Sequence, residues 1–156
     1  VVLHLAADYA AGFAAWLRER TGLPVRPAAE GEVVRPGQVY VAVTNDHLVL
    51  RSDRRLGYTP EPRDCPYRPS VDVFFDSLAA AWPRPGVAAL LTGMQSDGAR
   101  GLARLKMRGW HTIAQDQATC VVYGMPRAAV ELGAVSEVLP LPQIGPAARA
   151  RLTAKG

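Results

Sequence analysis

Two residues carry the chemistry that spacing alone suggests, His4 and Asp97. His4 stands at the carboxyl end of an apolar opening run, Val1 to Leu5. Asp97 stands just past a second apolar run, Val87 to Leu91, after a tight Thr92-Gly93 turn. In an open α/β sheet, ligands gather at the carboxyl edge of the strands. An imidazole and a carboxylate projecting from one such edge are two members of a hydrolase triad. The imidazole takes a proton from a nucleophile, and the carboxylate fixes its tautomer and steadies its positive charge. Each residue also has a plainer use. A histidine at a strand end is commonly a hydrogen-bonded structural residue. Asp97 precedes a helical pattern, in an N-cap position where its carboxylate can accept backbone N–H bonds, and position alone favours that cap.

The remaining chemistry-bearing residues point elsewhere. His47 reads as a surface residue at a hairpin tip, and His111 as a core residue inside a strand beside Trp110. No HExxH or similar spacing invites a metal, and no cofactor is expected. Gly93, Gly98 and Gly101 form neither GxGxxG nor a P-loop, and no lysine follows them in the Walker position, which argues against a nucleotide site. Cys65 and Cys120 are too far apart for a CxxC pair and read as reduced thiols of a cytosolic protein.

The elements that must position His4 and Asp97 alternate along the chain. Val1 to Leu5 reads as a fully buried strand. A helix from about Tyr9 to Arg20 follows, its apolar face carrying Phe13, Trp16 and Leu17, and Thr21-Gly22 closes it. Pro24 to Pro27 reads as a short strand. Val39 to Val43 and His47 to Leu50, separated by Asn45-Asp46, have the spacing of a β-hairpin. A further short strand falls near Leu56 to Tyr58. Prolines and charges between Thr59 and Pro69 predict a long loop, after which Ser70 or Asp72 caps a helix to Trp82 with Val73, Phe74, Leu78 and Ala81 inward. Val87 to Leu91 is the strand before Asp97, and Ala99 to Arg108 its helix, with Leu102, Leu105 and Met107 as apolar positions. Trp110 to Gln115 alternates as a strand, and Cys120 to Tyr123 adds an extended piece. Met125-Pro126 opens a helix that Gly133 stops, Glu137 to Leu139 is a last strand, and Pro142 to Leu152 is helical. The expected fold class is α/β: a mainly parallel, doubly wound sheet with helices on both faces and one β-hairpin excursion.

Length and charge bound what this fold can do. At 156 residues, 49% hydrophobic and 21% charged, the chain has the size and composition of one globular domain, with no linker or internal repeat dividing it. The net charge of +4 comes mostly from arginines spread along the chain, with Lys106 and Lys155 the only lysines. No basic stripe interleaved with aromatics appears, so nucleic acid is not an expected partner. No apolar run approaches the ~20 residues that cross a bilayer. The apolar opening lacks a basic leader and contains His4 and Asp8, unlike a signal peptide. A cytoplasmic protein without membrane insertion is expected.

Four segments, HLAADYAAGFAAWL, YTPEPRDCPYRPSVDVFF, LLTGMQSDGARGL and HTIAQDQATCVVYGMPRAAVELGAVSEVLPL, resemble in this order the catalytic domain of the CheB-type chemotaxis methylesterases. The resemblance extends over nearly the whole chain. It implies a serine hydrolase of chemotactic signal transduction that removes methyl esters from glutamates on the cytoplasmic domains of methyl-accepting receptors, and in some members converts receptor glutamines to glutamates. The family triad runs in the order serine, histidine, aspartate. His4 matches its histidine, Asp97 its aspartate, and Met94, in the TGM segment, a position near the oxyanion site.

Two departures from the family pattern follow. The family serine occupies a Gly-Ala-Ser-Thr-Gly-Gly-like turn after the strand preceding the histidine, and none of Ser52, Ser70, Ser77, Ser96 or Ser136 lies in such a turn. The chain is therefore expected to be a methylesterase-like domain over residues 1–156, truncated at its N-terminus before the nucleophile, and the receiver domain with phosphorelay chemistry usual in the family is absent from these residues. Gln95 stands where the family commonly has glycine. The alternative reading is a non-catalytic module of the same fold that holds a receptor or partner protein. A sheet deprived of one central strand would expose an apolar edge, so self-association through that edge is also expected.

Overall fold

A computed structural model describes residues 1–154, and the chain divides into two units, Val1–Ala81 and Trp82–Gly156. In the first unit, Ala10 and Ala14 recur one helical turn apart and put the buried face on α1 (Ala7–Thr21). Small residues let this helix lie close on β1 (Val25–Pro27) and β2 (Val39–Val41), where Ala14, Val25 and Val41 form a cluster with Phe13 and Leu17 against it. Trp16 is expected to face inward, yet it is 52% exposed. Two residues from Ala14, it is turned by ~200° around the helix and only touches the Phe13 ring from outside. Gly22, at φ 66°, closes the helix by returning its N–H to Arg18.

Val1 to Leu5 is not the expected buried strand. Val1 makes ladder bonds, donating to the Tyr40 carbonyl and accepting from Ala42 N–H, beside Val41. The Leu5 N–H then folds back onto the Leu3 carbonyl and ends the extended stretch at His4.

The hairpin pairs other strands than the spacing predicts. β2 runs parallel to β1, while β3 (His47–Leu50) pairs antiparallel with β4 (Leu56–Thr59), His47 opposite Thr59 and Leu50 opposite Leu56. Asn45 is unavailable as a hairpin turn because its side chain accepts the Ala7 N–H at the start of α1. The β3–β4 turn instead uses Arg54 at φ 65°, with Arg51 and Arg55 closing the end of the ladder. α2 (Val71–Ala81) packs on β3 and is capped by Ser70, whose hydroxyl accepts the Val73 N–H at 3.3 Å. Val71 and Phe75 are its buried residues, one position away from the expected Phe74.

The second unit is a parallel sheet in the order β5 (Val87–Leu90), β6 (His111–Gln115), β7 (Glu137–Leu139). β6 does not alternate. Thr112 to Gln115 are all buried, as a central parallel strand covered on both faces requires. α3 (Ala99–Met107) and α4 (Met125–Glu131) pack on each other and on β5 and β6, and α5 (Leu141–Thr153) contacts the same two strands. Leu102 and Leu105 of α3 have no exposed surface, each contributing about 1.5–3 kcal/mol. Met107, two residues further, lies on the opposite face and is 80% exposed, contrary to expectation. Cys120 to Tyr123 contributes no strand, only a single parallel bridge between Gly93 and Tyr123. Among the described residues, no helix is long and apolar enough to cross a membrane.

Candidate active site

His4 belongs to the first unit. Its backbone is set by the ladder at Val1 on one side and by α1 on the other, and the Leu5-to-Leu3 turn exposes its side chain. The imidazole stacks on Tyr67, with ring centroids 5.0 Å apart and planes within 12°. Tyr67 comes from the loop between β4 and α2, which is irregular but tethered. Arg68 donates to the Asn45 carbonyl, the Pro60 carbonyl and the Asp46 carboxylate, at 3.0 to 3.2 Å.

His47 anchors the same loop from inside. It is expected at a hairpin tip in solvent, yet it is fully buried. Its Nδ1 accepts the Ser70 N–H at 3.0 Å, which leaves Nε2–H to donate to the Pro62 carbonyl at 3.3 Å. His111, read as a core residue, is half-buried at the start of β6 with Nε2 3.4 Å from Glu137. The Arg151 guanidinium beside Glu137 holds its carboxyl below the ordinary carboxylate value, and His111 adds to that effect.

Asp97 and Met94 belong to the second unit, on the turn from β5 to α3. Asp97 is 2% exposed and Met94 is 66% exposed, so one turn presents a buried carboxylate and an open thioether side chain. Gly98, at φ 90°, occupies the N-cap position expected for Asp97, which stands one residue earlier. The turn is bound to the segment following β6. Gln115, buried at the carboxyl end of β6, accepts the Thr92 N–H at 2.8 Å and donates to the Thr119 carbonyl at 2.8 Å. The Thr92 hydroxyl accepts the Val122 N–H, and the Gly93 carbonyl accepts the N–H groups of Gly124 and Met125. Thr92 and Gly93 are thereby tied to Gln115 and to residues 122–125, which stiffens the platform on which Asp97 stands. Burial of Cys120 in this segment pushes its thiol up. Among the described residues, no three histidine, cysteine or acidic side chains gather as metal ligands.

The family model for CheB methylesterase matches residues 1–148. The chain belongs to the CheB methylesterase family. It is 54% identical over 145 residues to a protein-glutamate methylesterase/protein-glutamine glutaminase of Cupriavidus metallidurans, covering 93% of this chain and 43% of that protein. A protein of the same name from Mesorhizobium japonicum is 53% identical over 145 residues, again 93% of this chain and 43% of the relative. This CheB-family chain thus spans less than half the length of those relatives. The crystal structure of the Thermotoga maritima CheB methylesterase catalytic domain superposes with a TM-score of 0.87 at 35% identity, covering 92% of this chain and 78% of that one.

Within this CheB-family chain, the serines are used in the fold in different ways. Ser77 accepts the Leu50 N–H and donates to Phe74, Ser136 bonds Thr112, and Ser70 caps α2. Ser96 lies on the turn beside Asp97, and Ser52 lies exposed on the β3–β4 turn. Gln95 takes φ 66°, a left-handed conformation that suits glycine, which gives a physical reason for glycine at that position. Sequence reasoning missed Tyr67, which stacks on His4, and Gln115, which bonds the turn before Asp97. Gln115 had one legible signal, an amide ending a strand otherwise made of Thr112, Ile113 and Ala114.

Proposed function

We propose that this chain is the greater part of the catalytic domain of a protein-glutamate methylesterase that also deamidates glutamine, acting in the cytoplasm on receptors of a chemotaxis pathway. The observation that carries the reading is the family match over residues 1–148, in which both His4 and Asp97 fall. The fixed turn under Asp97 supports it, since a triad carboxylate works buried and immobile.

In this reading the nucleophilic serine is supplied by sequence outside these 156 residues. Its hydroxyl attacks the ester carbonyl while His4 takes the proton, and backbone N–H groups near the nucleophile and Met94 hold the oxyanion. Methanol leaves with the proton that His4 returns; ammonia leaves in the same way from glutamine. Water, deprotonated by His4, then releases the acyl group as glutamate and restores the serine. Asp97 orients His4 throughout. No metal or cofactor enters this scheme.

Methanol release from glutamate-methylated receptor tests the reading, using this chain and a form extended upstream through a Gly-x-Ser-x-Gly-Gly turn. Release by the extended form is expected, with a loss of about 10³ to 10⁴-fold in His4→Ala and Asp97→Asn. If the extended form releases none while still binding receptor, the chain is a binding module of this fold. Self-association of the 156-residue chain is also expected, since within its unit β5 is paired only on β6. A concentration-independent monomer in sedimentation would refute that part.

A further inference from the structure

We propose that Tyr67 is a positioning residue for His4: its ring sets the plane of the imidazole, and Arg68 holds Tyr67 in place to do so. The inference rests on the assignment of His4 as general base and goes one step beyond it.

His4 is exposed and sits on a turn outside any helix or strand. A carboxylate bonded to one imidazole nitrogen fixes the direction of that nitrogen but leaves the ring free to rotate about the bond. A flat partner removes that rotation. Tyr67 is such a partner, since centroids 5.0 Å apart with planes within 12° lie in the range of an offset stack. The same ring face meets the positive charge that the imidazole acquires when it takes the serine proton, an attraction available only in the charged form.

The stack is supported by a common anchor. The turn Asn45–Asp46 receives the Ala7 N–H on the Asn45 side chain, fixing the chain three residues after His4. It also receives Arg68, the residue after Tyr67, on the Asn45 carbonyl at 3.2 Å and the Asp46 carboxylate at 3.0 Å. One turn therefore sets where both rings stand. Downstream, Pro69 and Ser70 are buried, and Ser70 N–H is held by His47. The planar guanidinium matters here because it reaches separate acceptors at once, which an ammonium at the end of a flexible stem does not reproduce.

The test uses the serine-containing extended enzyme and four variants. Tyr67→Leu is expected to lower kcat roughly tenfold with KM changed less than twofold, Tyr67→Phe to stay within about twofold of the parent, and Arg68→Lys to lower kcat severalfold. In parallel, proton NMR of the His4 ring is expected to show upfield-shifted ring resonances in the parent and in Tyr67→Phe that move downfield in Tyr67→Leu. Thermal unfolding accompanies each variant; if Tyr67→Leu does not fold, Tyr67→Phe and Arg68→Lys carry the decision. The proposal is overturned if Tyr67→Leu keeps the parental kcat, if Phe loses as much as Leu, or if the His4 resonances ignore the ring. His4→Ala separates the two levels. Retained hydrolysis there removes the base assignment, whereas abolished hydrolysis with an unaffected Tyr67→Leu removes only the role of Tyr67.

Discussion

Gly124 stands directly on the backbone of the turn at Gly93. A β-carbon at position 124 would lie 2.6 Å from the Gly93 carbonyl oxygen and 2.8 Å from the Gln95 nitrogen. Gly124 has φ −102°, open to any residue, so this glycine is required by space and not by its dihedral angles. Gly124→Ala is therefore expected to cost about 1–3 kcal/mol, because the obstacle is main chain and cannot rotate away. Gly133→Ala provides the contrast. Gly133 has φ 68° and open space around its α-carbon, so its cost of about 1 kcal/mol is conformational alone. Urea unfolding of both variants gives the stabilities. In the extended enzyme only Gly124→Ala should also lower methanol release, since only it displaces the turn carrying Asp97.

Gln95 holds a left-handed conformation at φ 66° without being glycine. A side chain there costs energy that glycine would not, and a β-branched one costs more. Compared with Gln95→Gly, which likewise lacks the amide, Gln95→Ala is expected to be less stable by about 0.5–1 kcal/mol and Gln95→Val by about 1–2 kcal/mol. The denaturant midpoints of these variants should fall in the order Gly, Ala, Val with an unchanged slope. Equal midpoints for all three would show that the turn rearranges freely and is not the rigid platform described.

Local patterns made much of this architecture legible, and distant partners account for what was not. Leu102 and Leu105 announce α3, and the apolar run before Thr92-Gly93 announces β5, so the place of Asp97 just past the carboxyl end of a strand was readable, while its burial was not. Bulky residues misled where small ones did the packing: the face of α1 is set by Ala10 and Ala14, which leaves Trp16 outside. The hairpin was misassigned because Asn45, a turn former by type, is committed to Ala7, 38 residues away. His47 looked exposed because its partners, Pro62 and Ser70, lie 15 and 23 residues along the chain. The stack between His4 and Tyr67 joins residues much farther apart in the chain, and no periodicity encodes it. Spacing singled out His4 and Asp97 as a candidate pair, and the segments shared with the family are what favoured that reading over their plainer uses.

Glu137 links the acid stability of the second unit to Arg151 and His111. Its carboxylate accepts from Arg151 at 2.7 Å and lies 3.4 Å from His111, and Arg151 foremost, then His111, hold it below the ordinary value of 4.5. A carboxyl depressed in the folded state contributes stability above its unfolded value and loses it as pH falls through the folded one. Glu137→Gln should thus lower the urea midpoint at pH 7, and the gap to the parent should close as pH drops below 4.5. The pair is partly exposed, so added salt should shrink the gap at pH 7 as well. A gap that persists unchanged to pH 3 would show that the glutamine disturbs packing and that the ion pairs contribute nothing.

Gln115 is a buried side chain that holds the turn before Asp97. Buried to 1% exposure, it satisfies the Thr92 N–H with its carbonyl and the Thr119 carbonyl with its amide, joining the ends of β5 and β6. Leucine keeps the bulk and leaves both backbone groups without these partners, so Gln115→Leu is expected to cost about 2 kcal/mol or more. Gln115→Glu keeps the acceptor for Thr92 but loses the donor for Thr119 and buries a charge. It should be less stable than Gln115→Leu at pH 7 and recover as the carboxyl protonates toward pH 4, when it regains a donor. On the proposed assignment of Asp97 as the triad carboxylate, both variants should also lower kcat in the extended enzyme. Unfolding curves at the two pH values, with methanol release measured where the variants stay folded, decide between this role and simple filling of space, for which leucine would be neutral.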